Sequence, residues 1–345
     1  MTTTPAPVLI VGPAWVGDMV MTQSLVALLA ATRPGVAIDI LAPEWTAPLI
    51  VRMPQVRRAI PLPLTHGQLG LWVRWRLARA LRREGYGEAI IIPNSFKAAL
   101  IPFWAGIPQR TGYRGEWRQP LLTDCRPLNP KTLPRTVDRM AALSRPLQAT
   151  LPIPIPEPRL ISSPEAGMAT LARLGHPATE GRPVAVFCPG AEYGPAKQWP
   201  AAHFATLAIQ LGAEHWEVWI VGGTREIPLG REIVKAVGRG VVDLTGRTTL
   251  EEVVDLLSLA RVVVTNDSGL MHVAAALDRR VVALYGSSDP NHTPPLSPKA
   301  AILSLKLHCA PCFARVCPKG HTLCLLGLKP DQVREEILAW EKGHA

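Results

Sequence analysis

Residues 8–31 read VLIVGPAWVGDMVMTQSLVALLAA, and this stretch decides the class of fold. The run Val8–Val11 has the length and apolar character of a buried strand, and Gly12-Pro13 ends it. From Asp18 to residue 31 the composition is that of a buried helix. A short strand that passes through a glycine-containing loop straight into a helix is the opening unit of an α/β fold. The loop, Gly12-Pro13-Ala14-Trp15-Val16-Gly17-Asp18, mimics the glycine spacing of a phosphate-binding loop, but Asp18 stands where such a loop needs Lys. A carboxylate at that position repels phosphate and excludes a Walker-type ATP site. Two readings of Asp18 stay open: a helix cap, or a carboxylate kept ionised by the helix N-terminus and usable as a general base.

The same alternation continues outward. Strands are predicted over residues 37–42 and 89–92 in the first half, and over 184–188, 218–221, 261–265 and 281–285 in the second. This is the pattern of parallel sheets covered by helices. Between the halves lies LPIPIPEPRLISSP, residues 151–164, whose prolines at 152, 154, 156, 158 and 164 forbid helix and predict an extended linker. A length of 345 residues also exceeds what one core usually serves, so two domains are expected. A last helix is predicted over residues 331–342.

Charge is divided unevenly between these halves. The net +10 comes wholly from residues 1–150, with 18 basic and 8 acidic side chains, whereas residues 151–345 hold 19 of each. With 48% hydrophobic and 19% charged residues the chain is too apolar for a disordered nucleic-acid tail. A basic nucleic-acid-binding protein would explain the charge but not the absence of any binding motif. The first seven residues lack a basic leader region, and no uncharged stretch reaches the ~20 apolar residues of a spanning helix. The expectation is a cytosolic protein, at most peripheral to a membrane.

Three loops of the second half follow predicted strands. The first contains Gly190 and Lys197 in PGAEYGPAKQWP and is a reasonable cradle for a diphosphate. The second places Glu226 after a strand, where an acid either accepts ribose hydroxyls or is merely solvated. The third, TNDSGLMH, brings Asp267, Ser268 and Gly269 to a helix start with His272 one turn in. In open α/β sheets the carboxyl ends of strands are where ligands bind. In the first half, Asn94 and Lys97 follow a strand, and Arg110, Arg114 and Arg118 recur in RTGYRGEWR as candidates for an anionic acceptor. On a helical wheel of residues 68–83, Val73, Leu77, Ala80 and Leu81 face inward. Trp72, Trp75, Arg76, Arg79, Arg82 and Arg83 face outward, a face suited either to a membrane interface or to plain solvation. Finally, Cys309, Cys312, Cys317 and Cys324 are spaced C-x2-C-x4-C-x6-C, able to supply a structural zinc site or to hold an iron–sulfur cluster.

Taken together, GPAWVGDMVMTQSL, PNSFKAALIPFWAGIPQRTGYRGEWR, FCPGAEYGPAKQWP, TNDSGLMHVAAAL and VALYGSSDPNHTPPLSPKA resemble glycosyltransferase family 9, the ADP-heptose:lipopolysaccharide heptosyltransferases, over nearly the whole chain. The resemblance implies a GT-B fold of two Rossmann-like domains: residues 1–160 for the acceptor, 161–329 for the donor with the Cys-rich segment, and a closing helix within 330–345 free to pack back on either domain, the N-terminal one included. It implies an inverting transfer of L-glycero-D-manno-heptose from ADP-heptose to the first heptose of the lipopolysaccharide inner core, built on Kdo2-lipid A. A first- or later-heptose specificity and a nucleotide-sugar epimerase are the alternatives. Asp18 would be the general base, Lys197 a donor contact, Asp267 a heptose contact, Ser268, Gly269 and His272 the diphosphate contacts, and Glu226 the ribose acid. No cofactor is implied, and the enzyme would work without nucleic acid, peripherally at the cytoplasmic face of the inner membrane.

Overall fold

The computed structural model describes residues 5–65, 67–152, 154–176 and 181–342. The first four residues of the leader reading, Ile153 of the proline-rich stretch and the last three residues of the closing segment lie outside the described residues. The chain forms two compact units that divide between Leu160 and Ile161.

The first unit runs β1 (Val8–Val11), α1 (Val16–Thr32), β2 (Ile38–Pro43), α2 (Ala47–Ile50), β3 (Val56–Leu62), α3 (Leu71–Leu81), β4 (Glu88–Ile91), α4 (Phe96–Trp104), β5 (Gln109–Tyr113), β6 (Asp124–Arg126) and α5 (Thr136–Leu143). The second runs α6 (Pro164–Arg173), β7 (Val184–Cys188), α7 (Ala201–Ala213), β8 (Glu217–Ile220), α8 (Ile227–Val237), β9 (Val241–Asp243), α9 (Leu250–Ser258), β10 (Val262–Asn266), α10 (Gly269–Ala276), β11 (Arg280–Tyr285), β12 (Ala300–Ser304), α11 (Leu323–Leu326) and α12 (Pro330–Lys342).

Each unit holds one six-stranded sheet, in the orders β3-β2-β1-β4-β5-β6 and β12-β11-β10-β7-β8-β9, and all described pairings are parallel. Numbered within its own unit, the second sheet repeats the order of the first, so the architecture occurs twice. The α/β class read from the sequence is borne out. In each sheet the order reverses at one place, between β1 and β4 and between β7 and β10, and the loops leaving those strands open a crevice there. Residues 8–18 and 92–97 flank the first crevice. Residues 189–197 and 267–272 flank the second.

The central strands β1, β4, β7 and β10 are buried along their whole length, as strands covered on both faces must be. Among its described residues the proline-rich stretch carries no regular element before Pro164. Its Pro156 carbonyl accepts from Ser24 Oγ (2.6 Å), and the Arg159 N–H donates to Gln23 (2.9 Å), which ties it to α1. Pro164 is a helix opener, the first residue of α6 behind the capping Ser163. Val333 and Ile337 are buried in the core of the second unit with Leu207 and Leu211 of α7, and Glu341 accepts from Arg261 (3.0 Å) and Arg280 (2.9 Å). The closing helix is anchored in the second unit, one of the two domains that the sequence reading left open to it.

Candidate active site

Asp18 sits in the first turn of α1, and the helix N-cap is Trp15, which makes no side-chain cap bond. The carboxylate is half-buried and lines a cavity of about 590 Å³ within the first unit. Trp15 and Trp45 form part of the wall, and Trp45 Nε1 donates to the Ala14 carbonyl (3.0 Å), which holds the loop after β1. Of the five predicted acceptor residues, Asn94 and Lys97 line this cavity.

Arg110, Arg114 and Arg118 are not among its lining residues, and for Arg110 and Arg118 the reason corrects the sequence reading. Arg118 is fully buried, and its guanidinium donates to the Tyr113 carbonyl (2.9 and 2.6 Å), to Asn94 Oδ1 (3.2 Å) and to the Pro93 carbonyl. Burial pulls its pKa down to about 10. Its role is to bind the segment after β4 to the end of β5 by satisfying buried carbonyls. Arg110 is used in the same way by the Leu121 and Ile107 carbonyls (2.7 and 2.5 Å), and Arg114 is exposed.

Two other cations take their place at the cavity. Arg139 lines it from α5, and Arg74 lines it from α3, where Arg74 is buried and donates to the Leu69 (2.7 Å) and Lys97 (3.2 Å) carbonyls. The buried stripe of α3 is Arg74, Ala78 and Leu81, and Ala80 is exposed, so the inward face is turned relative to the predicted one. A wheel centred on the 74–78–81 spacing would have found Arg74.

In the second unit, Lys197 Nζ and Asp267 Oδ2 form an ion pair at 2.5 Å, with side chains 17% and 6% exposed. Lys197 also lies over the Tyr193 ring, 5.1 Å from its centroid. Asn266 Nδ2 donates to the Pro189 carbonyl (2.7 Å), and Asn266 Oδ1 accepts from the Trp199 N–H (3.0 Å). Those bonds fasten the loop after β7 to the end of β10. Ser268 is the N-cap of α10 but makes no cap bond; its hydroxyl meets Thr265 Oγ1 at 3.2 Å. The first-turn amides of α10 are thus left without a side-chain cap, as an anion-binding helix start requires.

Glu226 rests in a notch made by two glycines. A Cβ on Gly190 would stand 2.8 Å from Glu226 Cγ, and one on Gly222 2.7 Å from Glu226 Cβ, so neither position admits a side chain without moving the acid. The Gly223 N–H donates to Glu226 Oε2 at 2.8 Å and orients the carboxylate.

His272 is buried, and burial pulls its pKa down to about 4, with Asp267 opposing and Lys197 reinforcing the fall. It is neutral at pH 7 and offers a hydrogen bond, leaving Lys197 to supply the positive charge. An unfolded His titrates near 6.5, so as pH falls below that value the unfolded chain takes up a proton first and native stability drops until about pH 4. The expected loss is about 3 kcal/mol. Urea unfolding at pH 7 and pH 4 should show it in the native protein, and His272→Gln should show a pH dependence shallower by that amount.

The four cysteines Cys309, Cys312, Cys317 and Cys324 line one small cavity of about 20 Å³, but among the described residues no three His, Cys, Asp or Glu side chains are placed to hold a metal ion. Cys324 is turned into the apolar core of the second unit, and His321 Nδ1 accepts from the Leu323 N–H (3.0 Å).

Residues 74–323 match glycosyltransferase family 9 (heptosyltransferase). The chain belongs to this family. As a family 9 glycosyltransferase it is an enzyme of the GT-B architecture. It is 44% identical to lipopolysaccharide heptosyltransferase 2 of Salmonella typhimurium, over 96% of this chain and 97% of that one. It is 46% identical to lipooligosaccharide heptosyltransferase 2 of Haemophilus influenzae, over 86% and 88%. The solved structure of Escherichia coli ADP-heptose lps heptosyltransferase II superposes with a TM-score of 0.86 at 40% identity, covering 97% of this chain and 99% of that one. Among the described residues of this glycosyltransferase, no helix is long and apolar enough to cross a membrane.

Proposed function

We propose that this family 9 glycosyltransferase transfers L-glycero-D-manno-heptose from ADP-heptose to the first heptose of the lipopolysaccharide inner core. The observation that carries the reading is the end-to-end similarity to heptosyltransferases 2, at 44% identity over 96% of the chain. The site supports it in detail. The first unit takes the acceptor, with Asp18 removing the proton of the attacking hydroxyl and Asn94, Lys97, Arg74 and Arg139 holding the anionic sugar. The second unit takes the donor, with Glu226 on the ribose, Asp267 on the heptose, and Lys197, the Ser268 and Gly269 amides and neutral His272 on the diphosphate.

In the reaction the acceptor oxygen attacks the anomeric carbon as its proton passes to Asp18. The bond to ADP breaks on the opposite face, so the configuration inverts. Positive charge spreads over the sugar ring while negative charge grows on the departing diphosphate, where Lys197 and the α10 amides stabilise it. No step is assigned to a metal. The acceptor is lipid-borne, so the enzyme works peripherally at the cytoplasmic face of the inner membrane.

The test is product analysis with ADP-heptose and truncated cores bearing no heptose or one heptose. ADP release that requires the one-heptose acceptor, with a product heavier by one heptose, is the expected outcome. Transfer to the heptose-free core would mean first-heptose specificity, and ADP-heptose turnover without acceptor would remove the transferase reading.

A further inference from the structure

The outer face of α3 is a large feature of the first unit that the transfer reaction leaves unused. Trp72 and Trp75 stack there with ring centroids 4.9 Å apart and planes at 21°, and Trp72 is 68% exposed. The Arg79 guanidinium lies over the Trp75 ring at 5.0 Å. Leu69 and Leu71 add exposed apolar surface at the start of the helix, and Arg76, Arg82 and Arg83 are exposed beyond it. Among the described residues none of Arg76, Arg79, Arg82 and Arg83 pairs with a carboxylate, and the neighbouring Glu84 is taken by Arg58 (2.9 Å). Arg82 donates to the Trp104 carbonyl at the end of α4 (2.8 Å), which carries the patch to exposed Phe103, over whose ring Arg110 lies at 5.6 Å.

An aromatic and leucine surface of this extent is not what a protein keeps in contact with water alone. Indoles settle at the boundary between headgroups and acyl chains, and long cationic side chains reach from there to lipid phosphates. Arg76, Arg79, Arg82 and Arg83 give this face four exposed cations with no carboxylate paired to them among the described residues, a charge complementary to anionic lipid. The opposite face of the same helix supplies Arg74 to the cavity beside Asp18.

We propose that the outer face of α3 is a docking surface for an anionic lipid bilayer, with Trp72 and Trp75 in the headgroup layer and Arg76, Arg79, Arg82 and Arg83 on its phosphates. The helix then reads the membrane on one side and holds part of the acceptor cavity on the other. The proposal deepens the reading that the acceptor is lipid-borne, and vesicles free of acceptor test it separately.

The experiment is sedimentation of the full chain with vesicles of phosphatidylglycerol in phosphatidylethanolamine, and with vesicles of phosphatidylcholine alone. Binding to the anionic vesicles, weakened by salt, is expected. Arg76→Gln/Arg79→Gln/Arg83→Gln should lower the partition coefficient on the order of 100-fold, and Trp72→Ala/Trp75→Ala roughly tenfold or more. Both variants should keep the wild-type circular dichroism spectrum and wild-type turnover of a soluble, delipidated core. Undiminished vesicle binding by the variants, or no binding by the wild type, overturns the proposal while leaving heptosyl transfer standing. Equal losses on delipidated and membrane-embedded acceptors would also overturn it, by making the face a sugar contact. Failure of the wild type to transfer to the soluble core strikes at the transferase reading alone.

Discussion

Replacing Asp18 by Asn is expected to lower kcat by roughly 10²- to 10⁴-fold while leaving affinity for ADP unchanged. The amide has the shape of the carboxylate and keeps an acceptor oxygen, so the first turn of α1 is preserved. What it loses is the ability to take the proton of the attacking hydroxyl. The capping alternative predicts the reverse pattern, a loss of stability with little loss of turnover. The structure weighs against that alternative because the N-cap position belongs to Trp15 and Asp18 lies on the cavity wall. Steady-state kinetics with urea unfolding of the same variant separates the two, and wild-type kcat in Asp18→Asn would place the base elsewhere.

Lys197→Ala has the second large effect, on two quantities at once. It leaves the Asp267 carboxylate, 6% exposed, without its cation, and breaking such a pair costs about 3–5 kcal/mol of folding stability. It also removes the positive charge proposed to meet the diphosphate, so kcat/KM for ADP-heptose should fall roughly 10²-fold or more. Adding Asp267→Asn should return most of the stability, since the buried charge is gone, but none of the activity. Donor kinetics equal to wild type in Lys197→Ala would take this residue out of the site.

The central elements were legible in the sequence to within a residue or two. The runs over 8–11, 184–188, 261–265 and 281–285 are strands buried on both faces, and continuous apolar character is their signature. The edge and outer strands β3, β5, β6, β9 and β12 carry no such signature. In β3, Arg57 and Arg58 break the apolar pattern because both pair with Asp39 of β2, at 2.6 and 2.9 Å. Burial opposes the charge on Asp39, but the hydrogen bonds from Arg57 and Tyr86 outweigh it and hold the carboxyl below its usual range. A strand whose charges are answered by its neighbour reads as a loop until the neighbour is known.

The site divides along the same line. Sequence alone determined the doubled α/β order, Asp18 at the head of the first helix, and the loops after strands that carry Lys197, Glu226 and Asp267, because strand, loop and helix succeed one another within a few residues and local spacing reports them. It also placed the surplus charge in the first half. Only the tertiary structure decided what each cation does with that charge. Arg118 turns inward to donate to the carbonyls of Pro93 and Tyr113, the first of them 25 residues away, while Arg74, in a helix lined with arginines, falls on the buried stripe and reaches the cavity. A guanidinium goes where unsatisfied oxygens are, and the fold brings those oxygens together from segments that no local pattern connects.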